Sequence, residues 1–571
     1  MSELAAPKSR LHEVCPSPPP SPTEAARGRS CVRAELRLHA ICGQLHLSAY
    51  RCRSIARLVL IALLALASCR RVWADIDYTI RPNADMSRLQ VEIRIPMIGD
   101  SLDVQMPSWS PGYYVLQDYW QDLTDLTATD QNGSALPVSH TSGDTWHVEA
   151  AGAETITLRY SRRLPREGSA MSIFSGDNDT ALVQGPQTYL YVVGQKEEQC
   201  HLFVDAPPSF QIAVGLTGRD RNHYFAQNYD VLADNPVTIG ALRMASYKVR
   251  GIEHIVAIRG KVRDKLNLDK AIEMTKFIST SESDFFGGLP YKKYVWQISA
   301  TSFPDGAGGV EHATSSQDFL ATGEGPGAVR GLAHEYFHLW NVKRIRSSTL
   351  GPFDYTKLPQ TGALWWLEGV TDYYASLIPH RYRWYGDDEY LKDIARNIAA
   401  VRGNPNRLKV SPYDSSLRVG EAADGRGNSN GYLVSYYNSG WLIGMLLDIE
   451  LRSRTAGKIS LDDVEHQLWR ECRNDQPGFQ ENEIRRLLIK FGGADLGKIY
   501  DSWVLQPGEL PVEEQLAKVG LKLQGVGRSL SVVIDPAATH QQEALRAGWF
   551  WGKAKLTEVT DGRHSGSVNH K

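Results

Sequence analysis

The stretch GLAHEYFHLWNVKRIR, from Gly331 to Arg346, holds His334, Glu335 and His338 as an H-E-x-x-H. Two histidines four positions apart lie one turn apart on one face of a helix. Both imidazoles can then bind a single zinc ion, and Glu335 is placed to take a proton from water on that ion. The same pattern also arises by chance on a surface helix, so a third ligand decides its value. A catalytic zinc takes three protein ligands and leaves a fourth position open. Downstream, LWWLEGVTDYYASL offers Glu368 at the start of another helical stretch. Asp372, one turn further on, is placed to accept the spare N–H of a ligating histidine, His334 foremost, and to fix its tautomer. The plain alternatives are a helix-start glutamate that favours the dipole and a surface aspartate.

Two further stretches bear on a substrate. DGAGGVEHATS holds Gly308, Gly309 and Glu311 just upstream of the motif and just after a strand. Such a segment can form a sheet edge to which a peptide adds as an extra strand. A carboxylate there can pair with a free α-amine, and the alternative is a glycine-rich turn with an exposed glutamate. VSYYNSGWLIGMLLDIELR begins an apolar helix with Tyr436 and Tyr437. Tyrosines at a helix start are commonly core, and one aimed at a metal can stabilise an oxyanion.

The elements that must position these residues follow from texture along the chain. With 571 residues, two to four domains of roughly 100–200 residues are expected. A formal net charge of -2 gives no basic field for nucleic acid. Five of the seven cysteines (Cys15, Cys31, Cys42, Cys52 and Cys69) precede residue 70, leaving Cys200 and Cys472, so a metal site must use histidine and carboxylates. Residues 1–53 read as a disordered or wrongly started extension. Residues 54–74, an apolar run after Arg51 and Arg53, read as a secretory signal. That leader implies export, to a periplasm or outside the cell. Val72–Ala74 offers one cleavage point, and Leu66–Cys69 resembles a lipobox that places a lipid on Cys69.

From 75 to 250 the chain alternates apolar and polar residues, as in LQVEIRI and TITLRY, with turn signals at SPG and DQNG. This predicts a β-sandwich-like domain. From 251 to 512 helical spacing dominates, with a strand at YVWQIS and helices near Leu364–Leu377, Asp388–Val401 and Tyr436–Arg454. Residues 513–571 carry short strand-like stretches and a small helix.

Together these stretches resemble the glycyl aminopeptidase family of gluzincin zinc metallopeptidases. The resemblance spans roughly Ile76 to Leu523 and includes MPSWSPGYYVLQDYW, YDVLADNPVTIG, GGVEHATS, HEYFHLWNVKRIR, LWWLEGVTDYYASL and YYNSGWLIGMLLDIELR. It implies a multidomain α+β chain: an N-terminal β-sandwich-like domain, a thermolysin-like, mainly helical zinc-peptidase domain, and a PDZ-like tail. It implies that His334, His338 and Glu368 bind one zinc, that Glu335 is the general base, and that Glu311 holds the substrate α-amine. Tyr436 or Tyr437 would assist the oxyanion, and Tyr437 is preferred. Two departures stand out. Family members often carry lysine where Ser439 stands, and residues 513–571 match only part of a PDZ module, without a clear carboxylate-binding loop.

The expected function is zinc-dependent removal of small N-terminal residues, Gly or Ala, from peptides. The rival readings are a zinc endopeptidase on the same site and a non-catalytic secreted peptide-binding or chaperone-like protein.

Overall fold

The computed structural model describes residues 75–166, 174–303, 305–323, 325–419, 434–473 and 478–552. The leader and Cys69 lie outside the described residues.

The N-terminal strands form because their alternation lets one face stay wet. Ile76–Pro82 and Arg88–Pro96 bury every second side chain, and they pair antiparallel with Tyr78 opposite Ile93 and Ile80 opposite Val91. They lie at the middle of an eight-stranded sheet. Val104, Trp146 and Val148 from a four-stranded sheet enter the same core as Ile80, Val91 and Ile93. A further four-stranded sheet carries Thr180–Val183 and Val237–Gly240, both buried along their whole length. It reaches the next region through Gln297, whose Nε2 donates to the Pro236 carbonyl at 2.9 Å.

The second region is built on a five-stranded sheet in the order Arg243–Val249, Ile252–Arg259, Lys293–Thr301, Ser315–Ala321, Ala307–Glu311. Its centre is parallel and its outer pairs are antiparallel. Lys293–Thr301 is buried at all but its first residue, as a central parallel strand covered on both faces must be. Ala307–Glu311 is the edge strand on the side of the motif helix, and Arg243–Val249 is the opposite edge. Helices pack on this sheet. Leu268–Phe286 starts at Asn267, whose side chain caps Lys270 N–H, and stops at Gly287, whose φ of 79° suits a residue without a Cβ.

The motif helix, Pro326–Phe337, has proline in its first turn and buries Ala328, Val329, Leu332, Ala333, Tyr336 and Phe337. It lies tight on the edge strand, since a methyl group added at Gly331 would sit 2.1 Å from the Ala307 carbonyl oxygen. The stretch predicted as one helix near Leu364–Leu377 is instead a π-helical turn, Trp365–Val370, running into an α-helix, Thr371–Arg381. Its neighbour is the helix Tyr436–Arg454, and the two meet backbone to backbone. A methyl group on Gly440 would lie 2.0 Å from the Trp365 carbonyl oxygen.

The described part of residues 513–571 contributes the two-stranded ribbon Leu521–Gln524 with Ser531–Ile534 and the helix His540–Trp551. Leu521, Val532, Leu545, Trp549 and Phe550 belong to the core of the helical region. The helix is tied down by Arg452 and Arg381, which donate to the Gly548 and Trp549 carbonyls at 2.9 and 3.1 Å.

Candidate metal centre

The motif helix sets His334 and His338 one turn apart, with perpendicular rings and their Nε2 atoms 3.0 Å from each other. Glu368, carried by the π turn, brings its Oε2 to 3.2 Å from His338 Nε2 and 3.4 Å from His334 Nε2. Ligand atoms on a tetrahedral ion with bonds of about 2.1 Å lie about 3.4 Å apart, so the three atoms make one face of such a coordination shell. A single proton cannot satisfy two imidazole nitrogens and a carboxylate oxygen that all converge on one point. A cation can, and these residues therefore fit a metal ion. Burial opposes ionisation of Glu368, yet the neighbouring His338 and His334 hold its carboxyl well below the usual range.

What fixes the two rings differs. His338 Nδ1 lies 2.7 Å from the Asn341 carbonyl oxygen, so that nitrogen donates and Nε2 presents its lone pair to the centre. Asn341 also spans to the Glu368 segment, its Nδ2 donating to the Trp366 carbonyl and to Thr371 Oγ1 at 3.2 and 3.0 Å. Asn341 was not singled out in the sequence; its only trace there is a polar residue in the run LWNV. His334 Nδ1 lies 3.3 Å from Asp372 Oδ1, beside the carboxylate but off the N–H line. Asp372 thus stands next to the histidine that the spacing pairs it with.

Glu335 is buried between the motif helix and the edge strand, with 6 % of its surface exposed. Burial pushes its carboxyl up to about 7, against the pull of His334 and His338. Glu311 ends the edge strand and is also buried. One atom each of Glu311, Glu335 and His338 lie within 4.8 Å of one another, beside the first triad. Gly308 and Gly309 sit on the same strand, where a methyl group at Gly309 would meet the Gln317 carbonyl at 2.2 Å.

Of the two tyrosines, Tyr437 is the one whose ring neighbours His334, at 5.9 Å between centroids, and Tyr436 stacks behind it at 4.9 Å. Ser439 is buried and its hydroxyl donates to the Ser435 carbonyl at 2.7 Å within its own helix. The N-terminal domain adds a contribution that the spacing did not mark. Its loop through Trp109, Gly112 and Tyr114 reaches the peptidase region, with Trp109 and Tyr114 in that region's core. The contact joins positions some two hundred residues apart, beyond the reach of any local pattern.

Residues 77–241 match the Peptidase M61 N-terminal domain, and residues 328–443 match the M61 glycyl aminopeptidase domain. The chain belongs to the M61 glycyl aminopeptidase family. It is accordingly an enzyme of the metallo-aminopeptidase class. The second match contains His334, Glu335, His338, Glu368, Asp372 and Tyr437, while Glu311 falls between the two matches. An aminopeptidase N family protein from Idiomarina loihiensis shares the fold of this M61 chain, with a TM-score of 0.73 and 24% identity over 79% of each chain. An M1 zinc metallopeptidase from Deinococcus radiodurans aligns with a TM-score of 0.47 and 12% identity over 77% of this chain and 94% of that one. A mutant of it bound to a Tyr-Ser-Ala substrate gives the same TM-score and identity, over 77% and 95%. No curated protein matches the chain.

Proposed function

We propose that this M61 chain is a zinc aminopeptidase that removes small N-terminal residues, Gly or Ala, from peptides. The observation that carries the reading is the pair of adjoining clusters: three ligand atoms converging at His334, His338 and Glu368, and Glu311 with Glu335 beside His338. A bound zinc ion supplies Lewis acidity to a water molecule and to the scissile carbonyl.

The residues of the chain do the rest. Glu335 takes the proton from the attacking water at its carboxylate and returns it to the leaving amine. Its raised proton affinity suits both halves of that task, because a carboxylate of ordinary acidity would hold the proton less readily. Glu311 accepts hydrogen bonds from the substrate ammonium and so limits cleavage to the first residue. Tyr437 donates its hydroxyl proton in a hydrogen bond to the developing oxyanion; burial and then Glu368 hold that hydroxyl protonated well above neutrality. The Asn341 carbonyl holds the His338 ring in register, and Asp372 stands beside the His334 ring. Gly308 and Gly309 leave the edge strand's backbone approachable by an extended peptide. The leader at 54–74 supports export of the enzyme.

The test compares Gly- and Ala-p-nitroanilide with an N-acetylated peptide. The reading expects cleavage of the free-amine substrates alone, abolished by a chelator and restored by zinc. Cleavage of the blocked peptide would reassign the site to an endopeptidase. Zinc binding without any cleavage would leave a peptide-binding protein.

A further inference from the structure

One loop of the β domain reaches Glu311 directly. Its anchors are Ser108 N–H, which donates to the Tyr355 carbonyl at 2.8 Å, and Trp109 Nε1, which donates to the Asp354 carbonyl at 2.9 Å. Between them and the return at Gln117 the loop turns at Gly112, where φ is 83° and an added methyl group would lie 2.7 Å from both Glu311 Oε2 and Val310 Cγ1. The loop backbone is therefore pressed against the carboxylate that is to hold the substrate amine. Tyr114 follows, stacked on Trp109 with 6.1 Å between ring centroids and 21° between planes, and only 8% exposed. Burial, then Glu368 and Glu311, keep its phenol protonated. Its hydroxyl makes no hydrogen bond among the described residues.

Tyr114 borders a cavity of about 720 Å³ between the β domain and the peptidase region. Gly112, Tyr114, Glu311 and Phe353 line it, with the charged Asp234 and Lys343. His334, His338 and Glu368 do not line it. Tyr114 and the amine anchor Glu311 thus border the same space, which is large enough for a long side chain.

A substrate fixes what that ring does there. Its ammonium nitrogen and scissile carbonyl carbon are separated by a single Cα and lie about 2.5 Å apart. With the ammonium on Glu311 and the carbonyl at the triad, the first Cα and its side chain lie beside Glu311, next to the loop that carries Gly112 and Tyr114. We propose that Tyr114 is a specificity-determining residue, the ring that walls the pocket for the first side chain where it borders this cavity, so that the β domain sets which N-terminal residues are accepted. This rests on the aminopeptidase reading above.

The experiment measures kcat/KM for Gly-, Ala-, Leu- and Phe-p-nitroanilide on the zinc-loaded full chain and on Tyr114→Ala and Tyr114→Phe. The wild type is expected to favour Gly and Ala. Tyr114→Ala is expected to raise kcat/KM for Leu and Phe by about tenfold or more, since pocket size discriminates through added methylenes. Tyr114→Phe, which keeps the ring, is expected to keep the wild-type ratios. Should Tyr114→Ala not fold, Tyr114→Leu carries the same readout with a smaller cavity. A folded, zinc-loaded Ala or Leu variant with no gain on Leu or Phe overturns the proposal, as does a Phe variant that broadens equally. A wild type that already takes Leu as well as Gly overturns it while leaving the aminopeptidase reading intact. A wild type that cleaves none of the four overturns both.

Discussion

Glu335 and Glu311 are buried carboxylates beside the same histidine, and the proposed chemistry gives them opposite tasks. Glu335 must gain and lose a proton, and its seat between the motif helix and the edge strand raises its proton affinity to about 7. Glu335→Gln keeps size and hydrogen bonding but cannot accept the proton. It is expected to lower kcat by about 10²–10⁴-fold with zinc content unchanged by metal analysis. Full activity at full zinc occupancy would remove Glu335 from the base role. Glu311 must stay charged to hold an ammonium. Glu311→Ala is expected to lower kcat/KM on Gly-p-nitroanilide by about 10²-fold or more, the cost of deleting one partner of a buried charge pair. The same variant should leave any residual turnover of an N-acetylated peptide unmoved, and an equal loss on both substrates would count against amine anchoring.

At the scale of elements, the site depends on two close approaches that only glycine allows. Gly331 lets the motif helix lie on the edge strand, and Gly440 lets the helix Tyr436–Arg454 touch the π turn. The second contact sets Glu368 and Tyr437 relative to each other, because one rides on each element. Gly440→Ala would drive a methyl group into the Trp365 carbonyl. It is expected to cost about 1–3 kcal/mol of stability in urea unfolding and to weaken zinc affinity in a chelator competition. Lost stability with unchanged zinc affinity would make the π turn a packing feature alone. The sequence made part of this legible. H-E-x-x-H and Glu368 could be read because helix periodicity alone sets two histidines on one face and a second helix supplies the rest. The strands of residues 75–250 were legible because one wet face imposes alternation. The π turn was not: it packs on Gly440 through Trp365, a tertiary contact with no local period. Asn341 escaped for the same reason, since its carbonyl and side chain act on partners in two different elements.

The whole molecule joins its pieces around the site. The β domain sends Trp109 and Tyr114 into the peptidase core, and the C-terminal helix enters that core from another direction. Trp549 Nε1 donates to Tyr373 Oη at 2.8 Å, and Tyr373 donates in turn to Asp448 Oδ2 at 2.7 Å. Tyr373 lies on the helix that continues the Glu368 turn, so the tail braces the element that carries Glu368. The family resemblance implied a partial PDZ-like module in the tail, and the described part of that tail packs its apolar residues into the peptidase core. Trp549→Ala is expected to destabilise the protein by about 3–5 kcal/mol in urea unfolding, as for other fully buried aromatics. A loss below about 1 kcal/mol, within the range of surface changes, would show that the tail is peripheral.

The most direct test of the central claim is a zinc titration of the chelated full chain, followed by hydrolysis of Gly-p-nitroanilide. The account predicts that activity is absent without metal, rises in proportion to added zinc and levels off at one ion per chain, and that Glu368→Ala abolishes both the binding and the activity. Hydrolysis by the metal-free protein, or by Glu368→Ala at wild-type levels, would contradict it.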